Sequence, residues 1–196
     1  MSPIHRLTEL MSEFPGIGPR QARRFVQYML RKANQWRAEL ARGILDLARM
    51  VSPCAECLRY TENTENGLCR LCANADRDIE TLMVVEKDVD IDGVEASEAY
   101  RGRYFVFGGL LSLTGRKNGA HTEVLFKRVR RSEPKEIIFA LAATPEGDYT
   151  ARELMRELAI KHPTMRLTLL GRGLSVGGEI EYADRETLRN ALKNRS

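Results

Sequence analysis

All four cysteines of the chain fall in one short window, as Cys54-Ala-Glu-Cys57 and Cys69-Arg-Leu-Cys72, two pairs with two residues inside each and eleven between them. A two-residue gap lets two thiolates approach one ion from a tight turn, and a second such turn completes a tetrahedral sulfur site. Four protein ligands leave no position open for water. The site is therefore expected to be structural, with the metal's binding free energy serving as folding free energy for a loop too small to bury a core. A disulfide framework scatters its cysteines over a secreted chain that carries a signal peptide. Here His5, Arg6 and Glu9 interrupt the apolar core that a signal needs. Structural zinc is favoured over a redox pair or an iron–sulfur site, and the expected location is the cytoplasm.

The chain has 196 residues, 43% hydrophobic and 30% charged. That suits one core of up to about 150 residues with a satellite module, or two or three small modules. The longest unbroken apolar stretch, Ile137 to Ala143, is far short of a membrane span, so no membrane partner is expected. The net charge of +4 is unevenly placed. Residues 1 to 52 carry nine basic and four acidic side chains, a surplus of five, so the other 144 residues sum to minus one. Between Phe14 and Ala38 stand six Arg or Lys and no acid, a pattern that suits a polyanion-binding face better than a merely solvated one.

Helical spacing marks the first third. Ser2 is the expected cap and Pro3 the first residue of a helix with Ile4, Leu7, Met11 and Phe14 on one side, ended by Pro15-Gly16-Ile17-Gly18-Pro19. A second helix places Ala22, Phe25, Met29 and Ala33 on a core side and Arg20, Arg24, Gln27 and Arg31 on a basic side. A third runs from about Gln35 through Trp36, Leu40, Ile44, Leu47 and Val51, until Pro53 stops it. Then the period changes. Thr81–Val85, Arg103–Phe107, Glu136–Leu141 and Met165–Leu170 read as strands, with helices at about His121–Arg131 and Tyr149–Lys161 between them, which argues for a mostly parallel sheet covered on both faces. A last helix, Arg185–Lys193, follows Asp184 as its cap. Thr114 to Ala120 reads as a polar loop.

Two places could carry chemistry besides the cysteines. At Gly16-Ile17-Gly18 the glycines can adopt positive φ and leave backbone amides uncovered, so the turn and the following helix start form a seat for phosphate, flanked by Arg20 and Arg24. Such contacts touch backbone and not bases, so binding is expected to be sequence-independent and salt-sensitive. Glu86 stands at the carboxyl end of the first strand, where open parallel sheets place their sites, followed by Asp88, Asp90 and Asp92. A magnesium site needs carboxylates from a second strand. After Leu141 the nearest positions are apolar or neutral, and Glu146 and Asp148 come only at a helix start, so magnesium is disfavoured. No Gly-Lys-Ser/Thr occurs, so the glycines of 171–178 are no P-loop. His5, His121 and His162 read as surface residues. Lys127 to Arg131 reads as a solvated basic helix end.

Taken in order, the motifs Phe14-Pro15-Gly16-Ile17-Gly18-Pro19-Arg20, the four-cysteine loop, Val84-Val85-Glu86, Tyr100-Arg101-Gly102-Arg103-Tyr104, Gly108-Gly109 and Gly177-Gly178-Glu179-Ile180-Glu181-Tyr182-Ala183-Asp184 resemble the bacterial recombination mediator RecR family over nearly the whole chain. The resemblance implies a multidomain α+β protein with a helix-hairpin-helix DNA-binding domain (1–52) and a four-cysteine zinc finger (53–79). It also implies an α/β Toprim domain (80–170) and a C-terminal Walker-B-like segment with a helix open to subunit exchange (171–196). It implies a non-enzymatic DNA-repair protein, a homo-oligomeric ring of two or four subunits that encircles DNA. With RecO-like and RecF-like partners such a ring promotes RecA loading on gapped or single-stranded DNA. Residue by residue, the family's DNA-contacting basic positions in the hairpin match Arg20 and Arg24, which flank the Gly16/Gly18 turn, its zinc ligands match Cys54, Cys57, Cys69 and Cys72, and its Toprim glutamate matches Glu86. Where catalytic Toprim enzymes carry an Asp-x-Asp pair this chain has Ala142 and Thr144, and the C-terminal segment has Ser175 and Glu179 where the family usually has Pro and Asp. Two competing readings are a magnesium-dependent Toprim nuclease or topoisomerase-like enzyme using Glu86, Asp88 and Glu146, and a zinc-ribbon adapter for protein or RNA.

Overall fold

A computed structural model of the chain describes residues 2–113, 119–174, 177 and 179–193. Most of the polar loop Thr114 to Ala120, and Ser175, Val176 and Gly178 of the C-terminal segment, lie outside the described residues. The chain divides into two compact units, Met1–Val51 and Ser52–Ser196.

The first unit is three helices, α1 (Pro3–Ser12), α2 (Pro19–Arg31) and α3 (Asn34–Met50). Pro3 opens α1 as expected, although the Ser2 side chain makes no capping bond. α1 and α2 pack as a helical hairpin. The buried side chains of α2 are Ala22 and Val26, while Phe25 is exposed. The expected core side was thus rotated: Ala22, Val26 and Met29, at i, i+4 and i+7, form one row, and Phe25 lies off it. At the end of α2, Arg37 Nη1 donates to the carbonyls of Met29 (3.2 Å), Leu30 (3.2 Å) and Lys32 (3.0 Å), satisfying acceptors that a helix end leaves open. α3 stops at Met50 rather than Val51, which is extended at φ −121°. Ser52 stands before Pro53, and the residue before a proline is biased to extended backbone. No side chain of α3 is buried.

The second unit opens with a two-stranded sheet, β1 (Val51–Pro53) and β2 (Tyr60–Glu62), and a single-turn helix α4 (Arg70–Ala73). Next come β3 (Thr81–Val85), α5 (Asp88–Ala96), β4 (Arg103–Val106), α6 (Gly119–Ser132), β5 (Glu136–Ala140), α7 (Pro145–Lys161) and β6 (Arg166–Leu169). The four long strands pair in the order β4-β3-β5-β6, and every pairing is parallel. In that register Leu82, Val84, Phe105, Ile137 and Phe139 share one face and pack on Leu125, Phe126 and Val129 of α6 and Ala151, Leu154 and Leu158 of α7. On the other face Met83, Val85, Tyr104 and Val106 pack on Ile91 of α5 and on the cysteine loop. Both faces are covered, as continuous apolar strands require, but only the β3–β4 half of the second. Over the other half Ile138, Ala140 and Leu170 line an open groove of about 870 Å³. Short elements, a 3₁₀ turn (Ile180–Tyr182) and α8 (Arg185–Lys193), close the described chain.

The helix starts repay attention to chemistry. α7 begins four residues before the expected Tyr149, because Thr144 caps it by accepting the Gly147 N–H at 3.1 Å and Pro145 preorganises its first turn. A Cβ on Gly147 would stand 1.9 Å from the Ala142 carbonyl oxygen. Gly147→Ala is therefore expected to cost about 3 kcal/mol. Gly173→Ala, with open space around it, should stay within about 0.5 kcal/mol, both read by urea unfolding of the full chain.

α5 is tied to the polar stretch before β3 by Arg77, whose guanidinium forks onto Glu95 at 2.7 and 2.9 Å and lies 5.2 Å from the Tyr104 ring centroid. Arg77 holds the Glu95 carboxyl below the usual carboxylate range, although burial opposes it. A carboxylate with a depressed folded-state pKa contributes stability that is full above its unfolded pKa and is lost as pH falls through the folded one. Glu95 is partly exposed, so the wild type should lose only about 1 kcal/mol more than Glu95→Gln between about pH 5 and pH 2, in unfolding midpoints followed across pH.

Candidate metal centre and basic groove

The Sγ atoms of Cys54, Cys57, Cys69 and Cys72 lie within 4.8 Å of one another, on two turns brought face to face by β1–β2 and by α4, for which Cys69 is the cap residue. Cys54, Cys57 and Cys69 are buried and Cys72 half-buried. Four sulfurs each about 2.3 Å from one ion stand roughly 3.8 Å apart in a tetrahedron, and Cys57 Sγ to Cys69 Sγ is 3.6 Å. The donor set and its spacing fit a metal such as zinc. Cys69 N–H also donates to Cys54 Sγ at 3.3 Å, the kind of second-layer bond that orients a thiolate ligand. Crowded thiols share protons unequally: hydrogen bonds with Cys57, Cys69 and Cys72 pull Cys54 below the usual thiol range, and those with Cys54, Cys69 and Cys72 push Cys57 above it.

The loop is fastened at several points. Cys57 O accepts the Val106 N–H at 2.8 Å, and Arg103 donates to the carbonyls of Leu71 (3.0 Å) and Cys72 (2.6 Å). Arg59, beside the first cysteine pair, bridges Asp88 (2.9 Å) and Asp92 (2.6 Å), and Tyr60 N–H donates to Asp88 at 2.9 Å. Glu56 takes Arg128 at 2.9 Å and also Arg131. The aspartates read as a carboxylate cluster are thus the opening of α5, where Asp90 accepts the Lys87 N–H at 2.7 Å, and part of the basic run Lys127 to Arg131 is committed to the cysteine loop rather than to water.

Among the described residues, the cysteines are the one group of three or more Cys, His, Asp or Glu whose ligand atoms converge. Glu86 sits at the end of β3 with 12% of its side chain exposed and Lys87 Nζ at 3.5 Å. Glu146 is exposed in the first turn of α7, and Asp148 is taken by Arg172, with Arg152 at 3.8 Å. The structure therefore does not bring Glu86, Glu146 and Asp148 together as ligands. His5 faces Glu9 at 3.3 Å and His121 packs beside Phe107. Asp184 caps α8 as expected, accepting the Thr187 N–H at 3.0 Å and its hydroxyl at 2.6 Å.

In the first unit Arg20, Arg23, Arg24, Gln27, Tyr28 and Arg31 line a shallow groove of about 470 Å³ along α2. The turn leading into it closes through Ile17 N–H to Phe14 O at 3.0 Å. Of its glycines, Gly16 takes positive φ (76°), whereas Gly18 is extended at φ −80° and stands as cap residue of α2. No side chain caps that helix start and Pro19 has no N–H, so the amides of Arg20 and Gln21 have no capping side-chain acceptor. Helical spacing marks Arg20, Arg24, Gln27 and Arg31, whereas Arg23 and Tyr28, which border the same groove, fall outside that pattern.

A family model for the Toprim domain matches residues 80–168 and one for the RecR C-terminal region matches residues 173–196. A Recombination protein RecR of Lactococcus lactis subsp. lactis is 38% identical over 195 residues, 98% of this chain and 96% of the relative. Those of Roseiflexus castenholzii and Chloroflexus aurantiacus are each 37% identical over 196 residues, 99% of this chain and 93% and 94% of theirs. The chain belongs to the RecR family. The multidomain α+β expectation, with a parallel-sheet Toprim domain and a clustered four-cysteine site, holds. No helix among the described residues is long and apolar enough to cross a membrane.

Purified from zinc-supplemented medium, the full-length RecR-family chain should hold about one metal ion per chain. Cys57→Ser is expected to lose that ion and much of its resistance to thermal unfolding. Arg59→Ala should keep the ion while losing about 1–2 kcal/mol, because it removes a charge-assisted bridge that is only partly buried. Metal analysis and melting curves on the same preparations check both.

Proposed function

We propose that this chain is a non-enzymatic, DNA-binding recombination mediator of DNA repair in the cytoplasm. Its subunits close into a ring-like clamp that, with RecO-like and RecF-like partners, promotes RecA loading on gapped or single-stranded DNA. The observation that carries the reading is the groove on α2. Four guanidiniums line it, on a helix whose start has no side-chain cap and in a segment with no acid to neutralise them. Arg20 and Arg24, one turn apart, are the proposed phosphate contacts, with the Gly16/Gly18 turn supplying backbone amides.

A clamp needs more than one subunit, and the first unit supports that. α3 leaves Leu40, Ile44, Leu45, Leu47 and Met50 between 37% and 62% exposed. An apolar groove of about 270 Å³ lined by Ile4, Leu7, Met11, Val26, Leu40 and Ile44 lies among the three helices. A surface of that kind is expected to be covered by a second copy. Several weak phosphate contacts then act together, and the ring adds retention. Zinc at the four cysteines has a scaffolding role in this reading. Of the acids near the sheet's carboxyl end, Asp88 is held by Arg59 and Asp148 by Arg172, and Glu86 and Glu146 do not converge with them or with each other. Ala142 stands where a catalytic Toprim carboxylate would be, and both features favour a mediator over a magnesium nuclease.

Arg20→Ala with Arg24→Ala should weaken binding about equally for DNA of any sequence and flatten the salt slope on duplex by roughly 0.9 per lost contact per subunit. Fluorescence anisotropy across a salt series reads both effects. Binding unchanged in the double variant would remove the groove from the account.

A further inference from the structure

We infer that Tyr28, at the edge of the basic groove, is a stacking platform for an unpaired base, so that this face of α2 prefers single-stranded DNA to duplex. The inference rests on the DNA-binding reading above and adds a specificity residue to it. Tyr28 lines the same groove as Arg20, Arg23, Arg24 and Arg31 and is 52% exposed. It stands four residues after Arg24, on the same helix face one turn on. A phosphate at Arg24 and the neighbouring base at Tyr28 are therefore within reach of one strand.

The ring is held in place. Trp36 of α3 meets it edge-on, with centroids 6.0 Å apart and planes at 89°. The start of α3 is in turn fixed to the end of α2 by the Arg37 bonds to Met29, Leu30 and Lys32. Lys32 Nζ lies 4.8 Å from the Tyr28 centroid and 5.8 Å from that of Trp36. An ammonium over a ring adds a cation at the point where the next phosphate would pass, and the ring's exposure shows that it covers only part of the aromatic surface. A cationic track ending in a positioned, half-exposed aromatic is the composition of sites that hold single strands, where each base offers a π-face whatever its identity. In duplex DNA those faces are stacked on one another, and exposing one costs unstacking energy. Tyr28 thus favours single strands without favouring any sequence.

The test measures binding of the full-length protein to three probes of equal length: oligothymidylate, an abasic oligomer with the same phosphates, and a duplex. Tyr28→Ala is expected to weaken oligothymidylate binding about tenfold, the loss of one stacked base. The abasic oligomer and the duplex should stay within about twofold, and Tyr28→Phe, which keeps the ring, should bind all three like the wild type. Equal losses on all three probes with Tyr28→Ala, or no loss on oligothymidylate, would overturn the inference. Arg20→Ala with Arg24→Ala separates the two readings: if it weakens all three probes while Tyr28→Ala weakens none, the groove stands and the stacking falls. If it weakens none, the DNA-binding reading itself falls.

Discussion

Closure of four sulfurs around one point, against the edge of a sheet, is the constraint on which the larger unit depends. The loop carrying Cys54, Cys57, Cys69 and Cys72 is no appendage. Its cysteines and Leu71 share a core with Met83, Val85, Tyr104 and Val106, and Cys57 O takes an N–H from Val106 on β4, an outer strand of the sheet. An open strand edge is a liability that proteins cover. Here the same loop that gathers the ligands covers the edge, so filling the metal site and finishing the sheet are coupled. Glu56, inside the first cysteine pair, and Arg59, just after it, extend the coupling to α6 and α5 through ion pairs.

That arrangement explains why acids which look catalytic in sequence are structural in the fold. Asp88 and Asp92 hold Arg59, Asp90 closes the first turn of α5, and Asp148 holds Arg172. Glu86 lines the open groove at that end of the sheet, and among the described residues no second carboxylate converges on it. The proposed polyanion contact lies in the other unit, where α2 gathers arginines that have no acids near them in sequence. The fold thus has two parts of different character: a parallel sheet joined to a four-cysteine loop, and a small helical unit with exposed apolar and cationic side chains.

Much of this is legible in the sequence where the signal is local. The Cys-x-x-Cys pairs announce the metal centre, the buried strand Thr81–Val85 appears with its own bounds, and Asp184 followed by Arg185–Lys193 gives the last helix intact. Local signals fail where partners are far apart. Nothing near Arg59 in sequence says that it bridges Asp88 and Asp92, and the alternating aspartates give no sign that they open α5. Thr144-Pro145 carried a usable cap signal for α7 that periodicity alone placed too late. Phe25 was assigned to the core because it is apolar, but Ala22 and Val26 fit the close approach of α1 to α2 better, which leaves the larger ring outside. Spacing carries no signal for Tyr28, whose neighbours Trp36 and Lys32 meet it only once the chain turns into α3.

Photo-crosslinking of the metal-loaded, full-length protein to a halogenated oligodeoxynucleotide, with the attached residues located by mass spectrometry, tests the central claim most directly. Adducts concentrated on residues 16–37, on both sides of the Gly16 turn and along α2, are what the account predicts. Adducts confined to the carboxyl end of the sheet around Glu86, with none on α2, would contradict it.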